Sequence, residues 1–169
     1  ATLAGIIAVS RKPKPKLEIT ALNEQYSNLQ SQMNEEIRGT KKDKKKTKEE
    51  KKQAKTKPCL YVIEFNGDIK ASQVDQLRDE ITAVLGVAAE KDEILLKIDS
   101  PGGAVNGYGL AASQLQRIRE HNIPLTVCID KIAASGGYLM ACVANHIIAA
   151  PFAIIGSIGV VAQFPNFHR

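Results

Sequence analysis

Three short apolar runs, each followed by a turn of small residues and then by a stretch of helical periodicity, limit the folds open to this chain more than any other feature. Residues 60–65 alternate as a strand does, and Asn66 and Gly67 close the run. Ser72 stands where a helix cap belongs, ahead of Val74, Leu77, Ile81, Val84 and Leu85 on one face, with Asp75 three residues on as in a capping box. Residues 93–98 are almost wholly apolar apart from Lys97, which predicts a strand covered on both faces, and they run into Asp99, Ser100, Pro101, Gly102 and Gly103. A second helix is predicted over 108–121 with Leu110, Ala111, Leu115 and Ile118 inward. A third buried strand follows over 125–129, then a turn over 130–134 and a third helix over 135–143. Residues 146–149 and 154–161 read as further strands. Strand and helix in alternation imply an α/β domain with a parallel sheet.

That domain begins at Pro58, and what precedes it is of another kind. Residues 1–57 hold 15 lysines and arginines against 7 acidic residues, whereas residues 58–169 hold 8 against 11. The basic character of the chain therefore belongs to its leader. A nucleic-acid reader carries its cations on the folded domain with aromatics nearby, and the folded part here is mildly acidic and aromatic-poor, so nucleic acid is excluded as the expected partner. Residues 1–10 form an apolar run that stops at Arg11, Lys12, Lys14 and Lys16. It is shorter than the roughly 20 residues a spanning helix needs, and it reads as the stub of a membrane anchor. Within 11–57, Leu17, Ile19, Leu22, Tyr26, Leu29, Met33 and Ile37 recur near helical spacing, an amphipathic helix awaiting a partner surface. Ten lysines among the seventeen residues 41–57 make a solvated spacer, or a segment that meets anionic lipid headgroups. Cys59, Cys128 and Cys142 are too few and too scattered for a disulfide framework or a zinc site, and are expected to be mostly small buried hydrophobes. Neither a metal nor a cofactor is called for.

Two turns carry the chemistry. Ser135 lies in Ala133, Ala134, Ser135, Gly136, Gly137 and Tyr138, where small neighbours let a strand turn sharply into a helix and leave the hydroxyl at the helix N-terminus. Unpaired N–H groups there would stabilise the charge of a tetrahedral intermediate; the competing reading is a serine that only caps the helix. Gly102 and Gly103 permit close backbone approach, and an N–H from Gly103 or Ala104 would complete an oxyanion hole with that of Gly136. Carboxyl ends of neighbouring parallel strands converge, so the two turns are expected to face each other. Residues 154–161, small and aliphatic, would suit the wall of an apolar pocket or the edge on which an extended peptide pairs, with Ile155, Gly156, Ser157 and Ile158 as substrate-binding residues.

Ile98 to Gly103, Ala133 to Tyr138 and then Gly156, Ser157, Ile158, Gly159 and Val160 together resemble the signal peptide peptidase family of serine peptidases, whose fold is shared with the Clp proteolytic subunit and the crotonases. The likeness extends through residues 107–115, 123–127 and 151–166. The layout of anchor, lysine-rich leader and catalytic domain resembles bacterial inner-membrane members of that family. The resemblance implies Clp/crotonase-like repeated β-β-α units, a serine endopeptidase of the Ser/Lys type, Ser135 as nucleophile, and Gly103, Ala104 and Gly136 at the oxyanion hole. It implies a peptide or protein substrate, a homo-oligomer and an inner-membrane location, and it puts the lysine base several tens of residues beyond the serine, past residue 169. Lys131 does not match that position and reads as a solvated turn cation; His146, on a buried-looking strand, and His168 do not match the histidine of the Clp pattern. Two rivals stand beside the peptidase: a crotonase-like acyl-CoA enzyme, which needs no nucleophilic serine, and a non-catalytic membrane-associated scaffold.

Overall fold

The computed structural model describes residues 17–39 and 57–162. The expected anchor stub, the lysine run up to residue 56 and His168 lie outside the described residues. The chain divides into two units, residues 1–47 and 48–169. In the first, helix α1 (Leu22–Arg38) ends at Gly39, whose left-handed conformation lets its N–H bond the Glu35 carbonyl. None of its residues is buried. No helix among the described residues is long and apolar enough to cross a membrane.

The second unit runs β1 (Leu60–Asn66), α2 (Val74–Leu85), β2 (Glu93–Ser100), α3 (Val105–Glu120), β3 (Leu125–Ala134), α4 (Gly136–Ala141), β4 (His146–Ala149) and β5 (Ile154–Gly156). The strands line up in the order β1-β2-β3-β4, all parallel, and β5 pairs with the far end of β3. This order decides which face is covered. Right-handed crossovers that always step in one direction lay every helix on the same side of a sheet. Ile63 and Phe65 of β1, Ile94, Leu96 and Ile98 of β2, and Leu125, Val127 and Ile129 of β3 accordingly share one core cluster with Leu77 and Ile81 of α2, Leu115 and Ile118 of α3, and Met140 of α4. The residues between them on the strands are half-buried or exposed, so β2 is covered fully on one face and not on both. Lys97 and Asp130 pair on the other face at 3.3 Å.

Several local expectations change for identifiable reasons. Ser72 does not cap α2: its N–H and hydroxyl both donate to the Asp68 carboxylate, at 2.8 and 2.6 Å, and the helix starts after Gln73, whose own side chain accepts the Asn66 N–H. Leu110 points outward and Tyr108 inward. None of the three cysteines is fully buried: Cys59 and Cys142 are exposed, Cys128 is half-buried, and all are free. His146 lies exposed on edge strand β4. The predicted turn over 130–134 is a continuation of β3 containing a bulge, for Ile98 faces Ile129 but Ser100 faces Ala133. The expected strand over 154–161 stops at Gly156, because Gly156 and Ser157 take φ of +99° and +52° and turn the chain out of extended conformation.

Candidate active site

Extra residues in β3 bring its end beside the loop that leaves β2, and there the two small-residue turns meet. Ser135 sits between β3 and α4 with φ +50° and ψ −116°, a conformation that residues other than glycine rarely hold. Its side chain makes no capping bond, so the residue does not act as a simple helix cap. What holds it is close packing. A Cβ on Gly136 would strike the Tyr108 ring, and one on Gly137 would lie 2.9 Å from the Ser100 carbonyl oxygen. The Ser135 N–H donates to the Gly156 carbonyl at 2.7 Å, and the Leu139 N–H closes the first turn of α4 on the Ser135 carbonyl at 2.9 Å. This strained strand-to-helix corner has the form of a nucleophile elbow.

Gly102 presses against that corner. Its φ is +85°, and a Cβ there would lie 2.6 Å from the Ala134 carbonyl oxygen, 2.7 Å from Ser135 Cβ and 2.8 Å from the Gly136 nitrogen. Only glycine allows this approach. Next to it, Gly103 is exposed and packs on the Ile69 backbone. The Ala104 N–H is already donated to the Ile69 carbonyl at 2.7 Å, which corrects the expectation that Ala104 is a free donor. Among the described residues the N–H groups of Gly103 and Gly136 have no acceptor. The structure thus brings Gly102 against Ser135 and Gly136 and, through its bond to the elbow, Gly156 as well; Gly103 follows Gly102 in the chain. Ile155 pairs with Ala133, while Ser157 and Ile158 lie exposed just beyond.

Charges border the site without entering it. Lys131 Nζ pairs with Asp99 Oδ2 at 3.0 Å, with its side chain 77% exposed. His121 caps the end of α3 with Nδ1 2.8 Å from the Arg117 carbonyl oxygen. Among the described residues no cluster of histidine, cysteine and acidic side chains could hold a metal ion. Sequence reasoning missed two residues at the site, Ser100 and Tyr108, whose hydroxyls meet at 2.7 Å beneath the glycine turn. The signal for Ser100 lay in plain view, a hydroxyl between Asp99 and Pro101, but nothing in it indicated which way the side chain faced.

The model of the N-terminal part of peptidase family S49 matches residues 1–115, and that of peptidase family S49 matches residues 117–169. Among curated relatives, a probable protease SohB of Buchnera aphidicola subsp. Schlechtendalia chinensis is 64% identical over 112 residues, 66% of this chain and 37% of the relative. The probable protease SohB of Haemophilus influenzae is 62% identical over 113 residues, 67% of this chain and 32% of its own. That of Buchnera aphidicola subsp. Schizaphis graminum is 50% identical over 178 residues, covering 98% of this chain and 52% of the relative. The chain thus spans between about a third and a half of the length of these relatives. A solved structure described as the 1510-N membrane-bound stomatin-specific protease, a lysine-to-alanine mutant in complex with a substrate peptide, superposes with TM-score 0.54 and 27% identity over 65% of this chain and 49% of its own. A serine-to-alanine mutant of that protease gives 0.53 and 26% over 68% and 54%.

Proposed function

The chain belongs to peptidase family S49, and from that premise we propose that it carries the nucleophile and oxyanion donors of a serine endopeptidase. One observation supports this most: Gly102 touches both Ser135 and Gly136, so the glycine turn and the serine elbow form a single corner with two N–H groups left over. Ser135 Oγ attacks the scissile carbonyl carbon while its proton passes to a base. The oxygen that becomes negative is held by the N–H of Gly103 and of Gly136, donors already in place before charge develops. The intermediate collapses to an acyl-serine as the base returns the proton to the leaving amine, and water then repeats the sequence to free the acid.

The base is a lysine contributed from outside the described residues. In support, mutants of both a serine and a lysine of the solved relative are described for a protease, the lysine mutant with substrate peptide bound. Such a lysine acts only when neutral, which requires apolar burial to lower a pKa of about 10.4. Exposed aliphatics at Ile154, Ile155 and Ile158 beside the elbow suit a pocket of that kind and an extended substrate lying along Ile155, Gly156, Ser157 and Ile158. The enzyme works at a membrane, held by the apolar residues 1–10, and as an oligomer; the membrane-bound solved relative favours the first of these.

A serine-directed fluorophosphonate, applied to a protein of the relatives' full length that contains this chain, tests the reading. Peptide mass analysis is expected to find one adduct, on Ser135, absent in Ser135→Ala. Peptide hydrolysis that persists in Ser135→Ala would overturn it.

A further inference from the structure

We propose that Tyr108 and Ser100 are positioning residues that hold the Gly102–Gly103 peptide with its N–H outward, through a one-way chain of hydrogen bonds; this rests on the reading of that N–H as an oxyanion donor. Tyr108 is wholly buried at the start of α3. Its hydroxyl donates to the Asp68 carbonyl at 2.7 Å, and a carbonyl can only accept, so the phenol proton is committed there. Ser100 Oγ, 2.7 Å from the Tyr108 oxygen, must therefore donate its own proton to it. Ser100 Oγ is left free to accept, and it accepts the Gly102 N–H at 3.1 Å. The direction is fixed from Gly102 to Ser100 to Tyr108 to Asp68. No buried side-chain polar atom among the described residues is without a partner, so the chain is complete. Burial pushes the Tyr108 phenol up from its ordinary value, which keeps it a donor through the neutral range.

This chain pins the glycine turn from both sides. Drawing the Gly102 N–H inward fixes the Pro101–Gly102 peptide. On the other side the Ala104 N–H is held by the carbonyl of Ile69, the residue next to the Asp68 that Tyr108 anchors. The Gly102–Gly103 peptide between them is clamped, at an exposed residue whose N–H has no acceptor among the described residues. The same tyrosine abuts the second donor, since a Cβ on Gly136 would lie 2.6 Å from Tyr108 Cβ. One side chain thus sets the distance between both halves of the oxyanion site. Its ring is held in turn by Phe65, edge to face at a centroid distance of 6.2 Å.

Tyr108→Phe keeps the ring and deletes the relay; Ser100→Ala deletes the acceptor for Gly102 and leaves the ring alone. In the full-length enzyme each is expected to lower kcat by about tenfold or more with KM within about twofold. The double variant should lose no more than the worse single, because two hydroxyls in one chain act as a unit. Losses confined to KM, losses that multiply, or an unchanged kcat would overturn the proposal. A second readout does not need an active enzyme: exchange of the Gly102 amide hydrogen in this chain should speed up at least tenfold in either variant while the β2 amides keep their protection. Unchanged protection at Gly102 would overturn the relay. If the relay alone is wrong, Ser135→Ala still abolishes turnover; if the peptidase reading alone is wrong, Gly102 still loses protection in an enzyme that cleaves nothing. Should Tyr108→Phe fail to fold, Ser100→Ala and the exchange measurement carry the test.

Discussion

The Ser135 N–H and the Gly156 carbonyl are joined at 2.7 Å, so the end of β5 is fastened to the residue that we assign as nucleophile. The bond depends on Gly156 holding φ +99°, after which the chain turns away at Ser157.

Gly156→Ala should therefore destabilise through backbone strain alone, since a Cβ there meets nothing within 4 Å. A left-handed conformation costs an L-residue about 1–2 kcal/mol. Gly159, equally uncrowded but without a positive φ, is the control, and Gly159→Ala should change stability by less than about 0.5 kcal/mol. Urea midpoints of the two variants check the contrast; equal midpoints would contradict it.

Gly102→Ala combines both penalties. The added carbon would lie within 2.8 Å of the Gly136 nitrogen and closer still to Ser135 Cβ and the Ala134 carbonyl, at a residue with φ +85°. Overpacking and strain together should remove roughly 2–5 kcal/mol. Peptidase activity should fall further than stability explains, because what yields is the contact between the two turns. Calorimetry and kinetics on the same preparation would separate the two losses.

Much of this was legible in the sequence, and the failures have a common cause. One alternating run, two continuous apolar runs and the glycine-rich turns announced the first three strands, and the small residues around Ser135 and at Gly102 announced the corner. What the residues could not display were the partners that folding supplies, distant backbone carbonyls in two cases and a nearby carboxylate in a third. Ala104 looks like a free donor until the Ile69 carbonyl, far back in the chain, occupies its N–H. Tyr108 looks like an ordinary core aromatic until its hydroxyl is seen to meet Asp68, 40 residues away. Ser72 looks like a cap until the Asp68 carboxylate, a stronger acceptor four residues back, takes its N–H and hydroxyl. The apolar β2 suggested burial on both faces, but the order of strands, not their composition, put the helices on one side.

Asp92 predicts an acid-sensitive fold. Its carboxylate accepts the N–H of Ala89 and of Cys59, each at 2.8 Å, and the Tyr61 hydroxyl at 3.4 Å, tying the start of β1 to that of β2. The Ala89 bond first, then that of Cys59, holds its carboxyl below the usual carboxylate range. A depressed folded-state pKa contributes stability above the unfolded value, which is lost as pH falls through the folded one. Asp92→Asn should thus be less stable than the parent near pH 7, with the gap closing as the pH drops below about 4. Urea unfolding across pH measures it; a gap independent of pH would show that the charge is immaterial.

The central claim is that the N–H of Gly103 stabilises charge that develops only once Ser135 has attacked. Replacing Gly103 by glycolic acid, in a semisynthetic protein of full length, turns that amide into an ester and removes the hydrogen while leaving the chain's shape. If the account is right, kcat falls by about 10²- to 10³-fold with KM little altered. The equivalent ester at Ala104, whose N–H is spent on Ile69, should lower stability more than kcat. A Gly103 ester that folds normally and keeps kcat within threefold of the parent would contradict the assignment of this corner as the oxyanion site.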